Sequence, residues 1–405
     1  MSDRPFDLVV FGATGFTGQR AARWLAEHAP GGLRWTVAAR RQDALRALAR
    51  EVGLDEDDVL VADSSDPDSI DAMVAKTRCI ASFAGPFFKY SDPVVEACVR
   101  HGAHYVDITG ETPWVRDLIE RHHETARTEG TRIVPMCGFD SVPSDLGAWF
   151  AARELRARHD QGARSVTAAF SMRQGGLNGG TLATMLSLPE QYPARDLADP
   201  FLLTPGKTTR ERWSEHADPR GPVYDPARGR WMMPFFMGPM NTRVVRRSAY
   251  LYGEAGAPYG DDFHYQEYLD VPGGSRMQAR LRTGVIGLAF GLAQNRLGRR
   301  ILKRLGPDPG DGPSEEKMQG GSFRVLYQAV GEDGATLTAK MESPGDAGNV
   351  STVRFACCAA LTLLFDGEEI GLGPGTGGVL TPAFALGEPF LARLRAHGVT
   401  LEVDR

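Results

Sequence analysis

Over the first 140 residues, short apolar runs alternate with amphipathic stretches. "FDLVVF", Phe6 to Phe11, has the continuous hydrophobicity of a buried strand, and the helix predicted after Gly15 places Ala22, Leu25, Ala26 and Ala29 on one face. "RWTVAA" predicts a second strand and "QDALRALAREVG" a helix that stops at Gly53. The alternation continues through "DVLVAD", "PDSIDAMVAK", "RCIASFAG", a helix from Ser91, "HYVDI", a helix near Pro113 to Glu129, and "RIVPMCG". Six strands separated by helices of this length predict a parallel sheet with right-handed crossovers.

This is the α/β pattern of a Rossmann, doubly wound domain, whose ligands sit beyond the carboxyl ends of the strands. From Ser144 the regularity fades. "SDLGAWFAARELRARH" reads as a helix leaving the first domain, and "SVTAAFSMR", "FRVLYQAV" and "TLTAKME" alternate as strands of an antiparallel sheet. "GPDPGDGPSEE", Gly306 to Glu316, reads as a loop. The last stretch returns to helix, with "STVRFACCAALTLLF" and then "PAFALGEPFLARLRAHG", capped by Thr381 and opened by Pro382. The expected organisation is a Rossmann domain over 1–145 and an α+β substrate and dimerisation domain over 146–350. The remaining segment, 351–405, is expected to be mainly helical.

Bulk composition narrows the partners. A chain of 405 residues exceeds the roughly 250–300 at which one core stops growing, which fits two domains. Net charge of -5 and a pI near 6.0 give no reason to expect a polyanion-binding surface, so nucleic acid is not an expected partner. Five cysteines without C-x-x-C spacing predict reduced thiols, buried and inert at Cys79 and Cys137. The N-terminus lacks the pattern of a secretory signal, and no stretch reaches the roughly 18–20 apolar residues of a membrane span. The longest candidate, "VIGLAFGLA" (Val285 to Ala293), is expected to be buried, the alternative being a lipid-contacting surface. The expected location is the cytoplasm, or the periphery of a membrane.

The candidate chemistry sits after the strands. Gly12, Ala13, Thr14, Gly15, Phe16, Thr17 and Gly18 form a G-x-x-G-x-x-G turn between a strand and a helix, where free N–H groups and the helix dipole suit a pyrophosphate. After the second strand "VAARR" has no acid for a ribose hydroxyl and instead offers Arg40 and Arg41 to a 2′-phosphate, which points to NADP(H). Solvated helix-start arginines are the alternative. Asp63 and Ser64 follow the third strand, on the adenine side. Gly85 and Pro86 follow the fourth, on the nicotinamide side, with Tyr90 as a candidate proton donor or a structural tyrosine. Asp107, Thr109 and Glu111 suit turn stabilisation or ligand contact. Asp140, Ser141 and Ser144 suit helix capping, or, with Asp145, the floor of a cleft in which Asp140 is a candidate catalytic acid. No G-x-S-x-G elbow occurs, and adjacent His122 and His123 point to different helix faces, so no metal is expected.

"VVFGATGFTG", "GPFFKYSDPVVEAC", "HYVDITGE" and "GFDSVPSDLG" together resemble the saccharopine dehydrogenase-like oxidoreductases. "QGGLNGGTLATM", "GPSEEKMQGGSFRV" and the closing "GGVLTPAFALGEPFLARLRAHGVTLEV" extend the resemblance over nearly the whole chain, closest to the trans-acting enoyl reductase branch. The resemblance implies NADP(H) at Gly12, Gly15 and Gly18, Arg40 at the 2′-phosphate, Gly85–Pro86 beside the nicotinamide half, a second domain around a mixed sheet, and a C-terminal segment, 351–405, whose helices pack back on the first domain. Where family members often read A-G-R, this chain has Ala38-Ala39-Arg40. It further implies hydride delivery to a double bond of a largely apolar substrate, which the aromatic and Met-rich "WMMPFFMGPM" (Trp231 to Met240) favours. In the enoyl reductase branch that substrate is a thioester, carried by an acyl-carrier synthase whose acidic carrier would meet Arg243, Arg246 and Arg247 or Arg299, Arg300, Lys303 and Arg304. Solvated basic faces are the alternative for these groups. Other readings are a saccharopine-type amino-acid dehydrogenase and a non-catalytic NADPH sensor. A homodimer is expected from strand edges in the second domain.

Overall fold

A computed structural model describes residues 4–173, 186–204, 210–226, 228–271, 273–305, 312–367 and 376–404. The segment "QGGLNGGTLATM" and residues 306–311 of the expected loop lie outside the described residues. The chain divides into two units, the first through Phe139 together with Gly348–His397, the second from Asp140 to Ala347 together with the C-terminal end.

In the first unit β1 (Phe6–Phe11), β2 (Trp35–Ala39), β3 (Leu60–Val61), β4 (Thr77–Ser82), β5 (His104–Asp107), β6 (Arg132–Val134) and β13 (Gly378–Val379) form a parallel sheet in the order β13-β6-β5-β4-β1-β2-β3. All six residues of β1 are buried, as expected of a parallel strand covered by helices on both faces. Helices run between the strands where the periodicity places them. Gln42–Val52 stops at Gly53, whose φ of +76 is the left-handed C-cap that glycine adopts without strain. The helix expected from Ser91 is Asp92–His101, with Ser91 at its N-cap, buried and without a side-chain capping bond; a short helix, Phe87–Tyr90, precedes it.

The helix Thr352–Phe365 packs against Phe16–His28, β4 and β5 and is buried along nearly its whole length. With the turn before it, Ala347–Phe365 has the length and composition of a membrane span, against the expectation that none exists, yet most of it lies inside the protein. Cys79, Cys98, Cys137, Cys357 and Cys358 are free, buried thiols. The final helix, Pro382–Ala396, is broken at Gly387 (φ +51) ahead of Pro389.

In the second unit β7 (Ala163–Arg173), β8 (Val223–Asp225), β9 (Arg230–Pro234), β10 (His264–Asp270), β11 (Ser322–Gly331), β12 (Thr336–Pro344) and β14 (Thr400–Val403) are ordered β14-β12-β11-β7-β10-β9-β8. The sheet is mixed and not antiparallel throughout, because the long connection from β7 to β10 returns the chain parallel. Buried residues alternate along β11 and β12, so one face is covered. The helix Val142–His159 covers it at Gly147, where a Cβ would lie 2.1 Å from the Tyr327 ring, and the Tyr327 hydroxyl donates to the Pro143 carbonyl at 2.7 Å.

Three sequence expectations change here. The division between units falls at Phe139–Asp140, before residue 145. The C-terminal end after His397 does not follow the helices back to the first unit; β14 pairs with β12. The "VIGLAFGLA" segment is a surface helix with Val285 and Leu288 exposed, because only one side of that helix meets the sheet.

Candidate cofactor site

The first sheet reverses its strand order where β1 lies between β2 and β4, the place where ligands bind in such sheets. The turn leaving β1 occupies this point. Gly12 has φ +76 and donates its N–H to the Ala38 carbonyl at 2.9 Å. A Cβ there would lie 2.8 Å from the Ala84 nitrogen, so the turns after β1 and β4 touch backbone to backbone. A Cβ on Gly18 would lie 2.3 Å from the Gly12 oxygen and 2.8 Å from Ala13 Cα, so only glycine lets the helix approach this closely. Gly15 is the N-cap of Phe16–His28, and that end has neither a side-chain cap nor an acid in its first turn. Uncapped N–H groups, a positive dipole end and glycine at the points of close approach together fit a bound pyrophosphate.

The rest of the turn is braced by its own neighbours. Ala13 is buried with its N–H on the Ala38 carbonyl at 3.2 Å, Gln19 donates to the Thr14 carbonyl at 3.1 Å, and the Arg20 guanidinium carbon stands 3.8 Å from the Phe16 ring centroid. Thr17 lies in the first helical turn.

Arg40 and Arg41 leave the end of β2 with exposed side chains. Asp63 sits after β3, accepting from the Ser65 backbone and hydroxyl, both at 2.9 Å. Those bonds, with the charge of Arg40 nearby, hold its carboxyl below the usual range. The fold therefore brings Arg40, Asp63 and half-buried Ser64 to one corner, where Asp63 also organises the turn into Pro67–Val74.

Gly85–Pro86 follows β4 and leads into Phe87–Tyr90. Glu111, fully buried after β5, accepts from the Phe87 N–H at 2.9 Å and the Phe88 N–H at 2.6 Å. Its own N–H is held by Thr109 Oγ1 at 3.0 Å. Asp107 accepts from Thr109 N–H at 3.0 Å, Met136 N–H at 2.9 Å and the Tyr105 hydroxyl at 2.9 Å, while burial lifts its carboxyl to about 7. These acids thus join the turns after β4, β5 and β6 to one another. Tyr90 is half-buried, with the Lys89 ammonium 5.1 Å from its ring centroid.

Asp140 is the residue at which the chain leaves the first unit. Part of its surface stays open, yet surrounding protein lifts its carboxyl to about 6. The expected capping by its neighbours is overturned. Ser141 occupies the N-cap without a side-chain capping bond, and the helix begins at Val142, which turns Ser144 and Asp145 into the second unit. Ser144 donates to Glu267 at 2.6 Å, and Asp145 accepts from Ser248.

Residues 8–134 match the family described as the saccharopine dehydrogenase NADP binding domain. A Mycobacterium tuberculosis protein provisionally named a trans-acting enoyl reductase is 36% identical over 423 residues, covering 99% of this chain and 98% of the relative. A trans-acting enoyl reductase of Mycobacterium ulcerans is 34% identical over 427 residues, covering 100% and 99%. The chain belongs to the saccharopine dehydrogenase-like oxidoreductases. Within them it falls in the trans-acting enoyl reductase branch, and it is an NADP(H)-dependent enzyme. Saccharopine dehydrogenase of Saccharomyces cerevisiae shares the fold, with a TM-score of 0.55 and 14% identity over 99% of this chain and 100% of that one.

In this oxidoreductase the arginines expected to meet an acidic carrier divide. Arg243, Arg246 and Arg247 are buried. Arg243 pairs with Asp218 at 2.6 Å, and Arg246 donates to the Pro200 and His216 carbonyls, each at 2.9 Å. "WMMPFFMGPM" is likewise core, with Met232, Met233, Phe235 and Met237 buried and Phe235 stacked on Phe170 at 4.5 Å. Met232 and Met233 point to opposite faces of β9 and both are covered, Met232 by Ala169 and Tyr268, Met233 by Val271 and Ala279.

Two clusters escaped the sequence reading. Glu267, buried, accepts from Ser144, from the Tyr265 hydroxyl at 2.9 Å and from Asn241 at 2.7 Å, and burial lifts its carboxyl to about 7 despite those bonds. Tyr265 and Glu267 stand two apart on one strand face, the single local signal for it. His216, Asp262 and His264 gather within 4.8 Å, but the imidazoles stack at 4.0 Å and 6°. Ring-nitrogen lone pairs lie in the ring plane, so two parallel stacked rings do not converge on one metal ion.

Proposed function

We propose that this oxidoreductase reduces a carbon–carbon double bond in an apolar acyl substrate presented as a thioester by a separate synthase. The end-to-end similarity to trans-acting enoyl reductases carries this reading, supported by the glycine turn at the strand-order reversal. NADPH, when bound, supplies the hydride. Gly12 to Gly18 would hold its pyrophosphate, Arg40 with Arg41 the 2′-phosphate, and Asp63 with Ser64 the adenine side. Gly85 and Pro86 would border the nicotinamide half, in a turn anchored by Glu111. Reduction also needs a proton at the second carbon; Asp140, with its carboxyl at about 6, is our candidate donor, and Tyr90 the second.

A saccharopine-type activity needs several cations around a tri-carboxylate, and the buried arginines of Gly238–Glu254 are engaged by the protein's own groups. NADPH oxidation followed with an enoyl thioester and with saccharopine decides between the readings. Turnover of the thioester alone is expected. Turnover of saccharopine overturns the proposal, and silence with both, at intact NADPH affinity, identifies a sensor. If Asp140 donates the proton, the rate declines as pH rises above about 6, and Asp140→Asn removes that limb along with most of kcat.

A further inference from the structure

Two consecutive helices of the second unit, Arg276–Ala293 and Arg296–Leu305, carry apolar surface away from the core. Ala279 and Ile286 of the first helix turn inward onto Trp231, Met233, Leu269 and Val271. At about 3.6 residues per turn, Met277, Leu281, Val285 and Leu288 fall on the opposite side. They are 78%, 69%, 61% and 65% exposed. Side chains added at Gly284, Gly287 and Gly291 would meet nothing within 4 Å, so this side is open along its length. On the second helix Leu297 and Leu305 are likewise exposed, at 67% and 81%.

Charge distinguishes this surface from an ordinary uncovered patch. Residues 276–305 contain eight arginines and lysines and no aspartate or glutamate, in a chain whose net charge is -5. Among the described residues Arg299 is paired with Glu190 at 2.8 Å, while Arg300, Lys303 and Arg304 are exposed and follow the apolar residues around the helix. A symmetric contact with a second copy would lay this basic patch on itself. An apolar stripe bordered by unopposed cations complements a surface that is apolar within and negative at its face.

We propose that the hairpin 276–305 docks on anionic lipid bilayers, lying in the interface with Leu281, Val285 and Leu288 toward the acyl boundary and its cations at the lipid phosphates. This assignment is independent of the reaction proposed above.

Each basic residue near such a surface contributes about 1 kcal/mol, roughly a factor of five. Flotation of the full chain with phosphatidylcholine vesicles, and with vesicles containing about 30% phosphatidylglycerol, tests the assignment. Binding is expected only to the second and should weaken with added salt. R300Q/K303Q/R304Q should weaken it by roughly 100-fold and L281Q/L288Q by at least about tenfold, with melting temperature and NADPH affinity unchanged because these positions are exposed. Failure to float with the anionic vesicles overturns the proposal, as does undiminished flotation of both variants. A dimer that L281Q/L288Q converts to monomer would instead assign the face to a second copy.

Discussion

The turn at Gly85 and Pro86 is held by one buried carboxylate, and replacing Glu111 tests whether that anchor matters for the cofactor. Its two oxygens accept the Phe87 and Phe88 N–H groups at 2.9 and 2.6 Å. Glutamine keeps one acceptor and turns an amide N–H₂ toward the other donor, while alanine leaves both without it. An unpaired buried donor costs about 1–3 kcal/mol. In a unit of this size each kcal/mol lowers Tm by roughly 2–4 °C. Taking about 2 kcal/mol per orphaned donor, Glu111→Gln should melt about 6 °C lower and Glu111→Ala about 12 °C lower. The loosened turn should also weaken NADPH, visible as a smaller ligand-induced rise in Tm. Thermal melts with and without NADPH read both effects. If Glu111→Ala melts within about 1–2 °C of wild type and binds NADPH equally well, the anchoring argument is wrong.

Arg40→Ala should weaken NADPH by about 10- to 100-fold, the loss of charge-assisted bonds worth about 1.5–3 kcal/mol, and leave NADH affinity unchanged in a titration. Gly18→Ala sets a Cβ against the Gly12 oxygen, 2.3 Å away, and should cost about 1–3 kcal/mol in a denaturant melt as well as NADPH affinity. Glu267 and Asp107 both have carboxyls lifted to about 7 by burial. The folded chain keeps protons that the unfolded chain releases near pH 4, so stability should fall as pH rises from about 4 to 7. Glu267→Gln should flatten part of that slope, since the Ser144 and Tyr265 hydroxyls can rotate to accept from the amide; an unchanged slope would remove Glu267 from the account.

Where a signal is local, it was legible. Period and punctuation located β1, the Gly53 stop and the strand-end glycines, because each depends on residues within one turn or strand. The family resemblance was legible for the same reason, since its motifs are contiguous. Burial read from composition fared worse. "VIGLAFGLA" looks like core and is surface, while Arg243 and Arg246 look like surface and are core, because exposure depends on which distant element covers a face. Ser91, Ser141 and Thr381 each occupy a helix N-cap without a side-chain capping bond, and Ser144, inside the first turn of its helix, meets Glu267, a partner remote in sequence, instead.

The sequence by itself determined six of the seven strands of the first sheet and the glycine turn after β1, since strand period and glycine conformation are properties of short segments. Tertiary structure alone decided that Glu111 ties the turn after β5 to the one after β4, that β14 closes the second sheet, and that residues 276–305 present a bare basic and apolar face. Those outcomes depend on pairings across tens to hundreds of residues, where packing and desolvation choose among options that local chemistry leaves equal.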